Sequence, residues 1–259
     1  MDMRSLRTAL VTGANQGIGL ETCRQIKAAG LAVILTSRDE KAGRTAADAL
    51  GVGYHRLDVT RPPEIALIAA DLRKQGQAVD ILVNNAAVSL DGFDIGVVRK
   101  TLAANFFGAL AVTEGLLPLI PDGGTIVMVS SGMGELHVYP PAIRARFADP
   151  NLTREALVAL VNEFIAAVAA GDHTEKGWPS SAYRVSKAAV NALARVLARD
   201  LAPRRIRVNA ACPGWVRTRM GGRSAPRKVE QGAASIVWAA LLADATTGGF
   251  FRDGRPANW

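Results

Sequence analysis

The sequence predicts an α/β fold: a doubly wound parallel sheet of about seven strands with helices on both faces. Three observations predict it. Short β-branched runs alternate with longer runs of helical period along the whole chain. Several of the short runs, such as Ile81-Leu82-Val83 and Ile126-Val127-Met128-Val129, are apolar at consecutive positions, as strands buried on both faces are. A glycine-rich turn follows the first run directly. With 259 residues, 49% apolar and 21% charged, the chain suits a single domain over 1–259 with no internal repeat or linker.

Strands are expected at Thr8–Thr12, Ala32–Thr36, Gly53–Leu57, Ile81–Asn84, Thr125–Val129, Ile206–Ala211 and, in a short last piece, Gly249–Arg252. Helices are expected at Gly17–Ala29, Lys41–Leu50, Pro63–Gln75, Ile95–Leu117, Ser181–Leu201 and Val229–Leu242. Gly30 stands where a left-handed residue ends the first helix. The stretch between Ser131 and Tyr183 breaks the alternation: no strand signal occurs there. Within it Thr153 reads as an N-cap with Glu155 in the first turn. Leu157, Leu160, Val161, Phe164, Ile165 and Val168 then recur at helical spacing, and Gly171 ends the run. This is a helical insertion over about 135–179, packed on the outside of the domain.

Composition narrows the function classes. The net charge of +8 comes from arginines spread along the chain, with one modest cluster at Arg217, Arg219, Arg223, Arg227 and Lys228. No basic helix interleaved with aromatics is present, so no nucleic-acid partner is expected, and the charge suits a polyanionic cofactor. No uninterrupted apolar run is long enough to span a membrane, and the short polar start Met1–Arg7 leaves no room for a signal peptide. Two cysteines, Cys23 and Cys212, give no disulfide framework and suit a reducing, cytoplasmic setting. His55, His137 and His173 lack metal-ligand spacing, so no metal site is expected.

The turn Thr12-Gly13-Ala14-Asn15-Gln16-Gly17-Ile18-Gly19 lies between the first strand and the first helix. Gly13 permits a sharp turn, Gly17 lets backbone amides approach a pyrophosphate, and Gly19 permits close helix–strand packing. The helix start then offers unpaired N–H groups and a partial positive charge to phosphate. The second strand ends in Ser37-Arg38, where an acidic residue often meets the ribose hydroxyls of NAD. Arg38 can pair with a 2′-phosphate, and Ser37 can add a hydroxyl, so NADP(H) is the expected cofactor; Asp39 would repel the phosphate if it pointed inward.

Tyr183 and Lys187, four apart behind Pro179, share one helical face. An ammonium near a phenol favours the phenolate, which makes Tyr183 a general acid or base near neutral pH. Ser131 follows the fifth strand at its carboxyl edge, where it can hold a carbonyl oxygen; Ser130 is the less suited of the two. Asn105 is polar in the middle of an apolar helix, which suits either a core asparagine or one that holds a water beside Lys187.

These residues together resemble the short-chain dehydrogenase/reductase family over nearly the whole chain, and within it the NADPH-dependent carbonyl reductase branch. The resemblance is carried by Thr12-Gly13-x3-Gly17-x-Gly19, Asn84-Asn85-Ala86, Asn105, Ser131, Tyr183-x3-Lys187 and Pro213-Gly214. The branch is suggested by the long insertion, by Glu175-Lys176-Gly177-Trp178-Pro179 ahead of Tyr183, by Cys212-Pro213-Gly214-Trp215-Val216-Arg217-Thr218, and by the final Trp259. The resemblance implies a Rossmann-type fold, and catalysis by Tyr183, Lys187, Ser131 and Asn105 with a proton relay through Asn105, Lys187 and the cofactor ribose. It implies cofactor contacts at Asn15, Gln16, Ile18, Asp58, Val59, Asn85, Ala86, Pro213, Gly214, Val216 and Thr218, besides the glycines, Ser37, Arg38, Tyr183 and Lys187. It also implies a monomer, because the insertion covers the surface that builds tetramers elsewhere. Two departures stand out: Ala87 replaces the usual glycine after Asn-Asn-Ala, and Gln16 replaces a basic residue of the NADPH turn.

Met133, Tyr139 and Trp215 would line a mostly apolar pocket beside Ser131, suited to ketones, aldehydes and quinones. Cys212 lies near that pocket, and its default reading is a buried, inert thiol. Two other readings compete with carbonyl reduction. One is a non-catalytic NADP(H)-binding regulator, which loss of Tyr183, Lys187 or Ser131 would support, and none is lost. The other is a reductase of a conjugated carbon–carbon double bond, against which the retained Tyr183 argues.

Overall fold

A computed structural model describes residues 6–259; the start of Met1–Arg7, where no signal peptide is expected, lies outside them. The strands are β1 (Thr8–Val11), β2 (Ala32–Ser37), β3 (Gly53–Arg56), β4 (Ile81–Asn84), β5 (Thr125–Val129), β6 (Arg207–Ala211), β7 (Phe250–Arg252) and β8 (Arg255–Pro256). They form one sheet in the order β3-β2-β1-β4-β5-β6-β7-β8. All neighbours are parallel except β7 and β8. The order reverses direction between β1 and β4, the switch point outside which such sheets bind ligands.

Alternation along the strands splits the interior in two. Leu10, Leu82, Ile126 and Met128 face one core, and Ala9, Val11, Ile81, Val83 and Val127 face the other. The second core is covered by α1 (Gly17–Ala28), α2 (Glu40–Leu50) and α9 (Val229–Leu241). The first is covered by α3 (Pro62–Lys74), α4 (Ile95–Leu102), α5 (Gly108–Leu116), α7 (Arg154–Ala170) and α8 (Ala182–Asp200). Gly30, with φ near +87°, follows the last residues of α1 as expected.

Three elements differ from the sequence reading. The expected helix Ile95–Leu117 is α4 and α5 joined by a π turn at Ala103–Phe107, and it ends in a 3₁₀ turn at Leu117–Leu119. Residues 95–119 are long and apolar enough to cross a membrane, but Val98, Leu102, Phe106, Val112 and Leu116 lie fully buried in the core. The insertion holds α7 as expected, with Thr153 Oγ1 accepting from the Ala156 amide at 3.1 Å and Gly171 in the left-handed region. It also holds α6 (Pro141–Ala148), whose signal was the proline at its first position. An eighth strand closes the sheet through the two-residue turn Asp253-Gly254, with both φ values positive. Asp-Gly is a strong sequence sign of such a hairpin.

Candidate active site

A cleft of about 530 Å³ runs across the carboxyl ends of the central strands. At one end it is built from the turn after β1. Gly13 has φ near +61°, and a Cβ there would fall 2.8 Å from Ala86 Cα, so only glycine fits. Thr12 ties the two turns together: its hydroxyl accepts from the amides of Asn85 and Ala86, each at 2.9 Å. Asn85 Nδ2 returns donors to Thr12 O at 2.8 Å and Gly13 O at 3.1 Å. The start of α1 has no side-chain cap and no acidic residue in its first turn, so its N–H groups and dipole face the cleft unopposed. A phosphate group fits that end.

Ser37, Arg38, Asp39, Asp58, Val59 and Thr60 line the opposite wall. Asp39 lines the cleft, and its Oδ1 caps α2 by accepting from the Ala42 amide at 3.0 Å. Asp58 Oδ1 accepts from the Thr60 amide (3.0 Å) and hydroxyl (2.7 Å). Burial pushes the Asp58 carboxyl up, but these bonds and the charges of Arg38 and Arg61 hold it below the usual range. Behind this loop sits Glu64, only 8% exposed. Its carboxylate accepts from the Asp58 amide at 2.8 Å and pairs with Arg56 at 2.5 Å and Arg61 at 3.3 Å. Burial raises its pKa, and the Asp58 amide and Arg56 outweigh that, so the carboxyl stays lowered.

Where the cleft meets α8, the Ser181 hydroxyl caps the helix, accepting from the Arg184 amide at 3.4 Å. One turn later the face presents Tyr183 and Lys187. Lys187 Nζ donates to Val129 O at 2.8 Å and lies 5.5 Å from the centre of the Tyr183 ring. Lys187 is fully enclosed, and desolvation lowers its pKa to about 8, with Cys212 acting in the opposite sense. Burial raises the Tyr183 phenol to about 12; a hydrogen bond with Ser131 works to lower it, and Cys212 adds to the rise. The protein's own groups thus hold the phenol protonated, the reverse of the lowering expected from the lysine alone. Ser131 Oγ also accepts from the Met133 amide at 3.1 Å, starting the short 3₁₀ turn Gly132–Gly134. A Cβ on Gly134 would fall 2.6 Å from the Lys187 carbonyl carbon, so a bare Cα lets this turn lie against α8. Asn105 sits in the π turn. Its Oδ1 accepts from the Val88 amide at 2.7 Å, and Nδ2 donates to Val88 O (2.9 Å) and Ser186 Oγ (3.0 Å). Its side chain fastens the cleft wall to α8 and spends both of its donors there.

Residues 7–142 match the family profile described as short chain dehydrogenase, and residues 150–246 one described as enoyl-(acyl carrier protein) reductase. A carbonyl reductase (NADPH) 1 of Mus musculus is 39% identical, over 97% of this chain and 98% of its own length. The chain belongs to the short-chain dehydrogenase/reductase family. Among solved structures, salutaridine reductase from Papaver somniferum is 33% identical with a TM-score of 0.88, over 95% of this chain and 99% of that one. A short-chain dehydrogenase/reductase from Burkholderia multivorans with bound NADP is 25% identical with a TM-score of 0.75, over 98% and 100% of the two chains.

Of the positions that the family likeness implies for the cofactor, the structure brings Gly13, Asn15, Gln16, Gly17, Ile18, Gly19, Ser37, Arg38, Asp58, Val59, Asn85, Ala86, Tyr183, Lys187, Pro213 and Thr218 to the walls of the one cleft. Gly214 and Val216 lie behind it: Val216 is buried and bridged to Arg227. Of the residues expected to line a substrate pocket, Met133 and Trp215 are exposed and do not line this cleft, and Trp215 Nε1 donates to Gly221 O at 2.9 Å. Tyr139 is not at this rim. At 3% exposure it packs against Phe147 and Trp178 in the core of the insertion, where burial drives its phenol far above the usual range. Helical insertion geometry, invisible in a position count, turned it inward. Cys212 is buried, its Sγ accepting from the Gly214 amide at 3.3 Å. Sequence reasoning did not single out Thr12, Glu64 or Gly134, whose contacts shape the cleft walls and the turn beside α8. Only Thr12 carried a signal, as the first residue of the glycine motif. Ala104, Arg219 and Met220 also line the cleft, with no signal of their own.

Proposed function

We propose that this chain is an NADPH-dependent carbonyl reductase that acts on ketones, aldehydes or quinones. The observation that carries the reading is that Tyr183, hydrogen-bonded to Ser131, and Lys187 line one end of a cleft whose far end suits a phosphorylated nucleotide. The α1 start and the turn after β1 hold the pyrophosphate, Arg38 and Ser37 the 2′-phosphate, and Asp58 and Val59 the adenine. NADPH, when bound, supplies the hydride. Tyr183 Oη donates the proton to the carbonyl oxygen, which Ser131 Oγ holds in place. Lys187, anchored on Val129 O, stabilises the phenolate left behind. Met220 on the cleft wall and the exposed side chains of Met133 and Trp215 supply apolar surface for the substrate. The protein acts in the cytoplasm as a monomer, a reading supported by its two unpaired thiols and by α7 packed over α8.

The test is NADPH oxidation at 340 nm against a panel of ketones, aldehydes and quinones, with NADH in parallel. Turnover should be faster with NADPH and fall by ~10²–10⁴-fold in Tyr183→Phe. Cofactor binding without turnover of any carbonyl would replace this reading with a cofactor-sensing regulator. Reduction of a conjugated carbon–carbon double bond is the second reading, favoured by the enoyl reductase profile over residues 150–246. Product analysis with a cyclic enone separates the two: an allylic alcohol supports carbonyl reduction, a saturated ketone the alternative.

A further inference from the structure

We propose that Arg252 is a specificity-determining residue of this active site, selecting carbonyl compounds that carry a carboxylate close to the reacting carbonyl. The proposal rests on the active-site reading above. Arg252 is the last residue of β7, at the carboxyl edge of the sheet where ligands bind. The residue after Ser131 is Gly132, and a Cβ there would fall 2.5 Å from Arg252 Nη2 and 3.7 Å from its Cζ. The guanidinium therefore fills the place of the side chain next to the hydroxyl that holds the carbonyl oxygen.

Its hydrogen-bonding capacity is largely unspent. The buried Nε has no partner among the described residues. Glu135 Oε1 lies 3.9 Å from Nη2, too far for a hydrogen bond, and Oε2 of the same carboxylate faces His137 Nδ1 at 3.3 Å. Arg227, whose Nε likewise has no partner among the described residues, differs at its end: its two terminal nitrogens grip Asp253 at 2.5 and 2.8 Å. One arginine behind the site is committed to the fold, and the other is held only loosely. The Arg252 side chain is 40% exposed, so a ligand can reach it. A planar guanidinium with open N–H groups binds a carboxylate through two parallel hydrogen bonds.

The experiment compares benzoylformate with its methyl ester as substrates for NADPH oxidation, in the wild type, Arg252→Gln and Glu135→Gln. Arg252→Gln should lower kcat/KM for the keto acid about 10- to 100-fold more than for the ester, the span expected for a hydrogen bond to a charged group. Glu135→Gln, which removes the competing carboxylate, should shift the keto acid-to-ester ratio the other way. The wild-type KM for the keto acid should rise with ionic strength more steeply than that for the ester. Equal losses on both substrates in Arg252→Gln would overturn the proposal and make the arginine a clamp on the Ser131 turn. A keto acid-to-ester ratio that neither variant moves would overturn it as well. Wild-type turnover of neither compound, with NADPH binding intact by fluorescence, would sink the reductase reading and this proposal with it, whereas turnover of the ester alone sinks only this proposal.

Discussion

Burial moves both titrating groups, Tyr183 and Lys187, toward their neutral forms. The Tyr183 phenol, raised to about 12 by burial against the opposing bond from Ser131, stays protonated at any ordinary pH. Lys187, lowered to about 8 by desolvation, loses its charge just above neutrality. If proton donation from Tyr183 needs the ammonium beside it, carbonyl reduction should hold steady below that value and fall about tenfold per pH unit above it. A kcat/KM profile between pH 6 and 10 checks this. The stability effect has the opposite sign. A base whose folded pKa lies below its unfolded value costs stability while charged. Between about 8 and the ordinary 10.5 the unfolded chain binds more protons, so this group's contribution rises with pH there. Lys187→Met should therefore unfold at a higher temperature than the wild type at pH 7 while losing ~10²-fold or more in kcat. The residues that the sequence singles out at this scale are those whose side-chain type carries chemistry: Tyr183, Lys187, Ser131, Arg38. Thr12 and Gly134 make contacts with residues distant in the chain, and only Thr12, at the head of the glycine motif, has a local signal.

Elements were legible wherever a period runs unbroken, and were misread where one side chain interrupts it. The apolar run from Ile95 reads as a single helix because a π turn leaves the hydrophobic count almost unchanged. Asn105 accounts for the interruption, with three hydrogen bonds that reach out of the helix to Val88 and Ser186. Asn105→Ala strands the Val88 groups, and should cost ~1–3 kcal/mol in urea unfolding. The β3–α3 connection is a second case. Glu64 is the third residue of α3, unremarkable in sequence, yet its carboxylate fixes the Asp58 amide and with it the cleft wall proposed to hold the adenine. Glu64→Gln keeps one acceptor and loses the ion pairs with Arg56 and Arg61. KM for NADPH should rise several-fold with kcat held. Reduced nicotinamide mononucleotide, which lacks the adenine half, should be used equally by wild type and variant; an equal loss with both cofactors would assign Glu64 to general stability. Because the folded pKa of Glu64 is lowered, its stabilisation is present above the usual carboxylate range and fades as pH falls through the lowered value.

At the scale of the whole molecule, the insertion is the feature that sequence located and could not orient. Its helical spacing was plain, but the inward face of α6 and the burial of Tyr139 depend on an aromatic cluster that forms only in three dimensions. Trp178 stands at its centre, with ring centres 5.3 Å from Phe164, 6.2 Å from Phe147 and 6.5 Å from Tyr139. That cluster belongs to the same continuous core as Val185, Ala189 and Leu193 of α8, so the insertion and the helix carrying Tyr183 share one interior. A shared interior predicts one cooperative unfolding transition, not a separate melt of the insertion. Trp178→Ala should cost ~3–5 kcal/mol while keeping a single transition, because the cavity it leaves lies within that common core. The same packing sets α7 against α8, whose other neighbours include β6, α4 and the Gly132–Gly134 turn, and leaves little apolar surface there for a second chain. Light scattering should give the mass of one chain for the wild type across the micromolar range. A dimer or tetramer in that measurement would mean that another face of the sheet–helix sandwich, away from the insertion, mediates association.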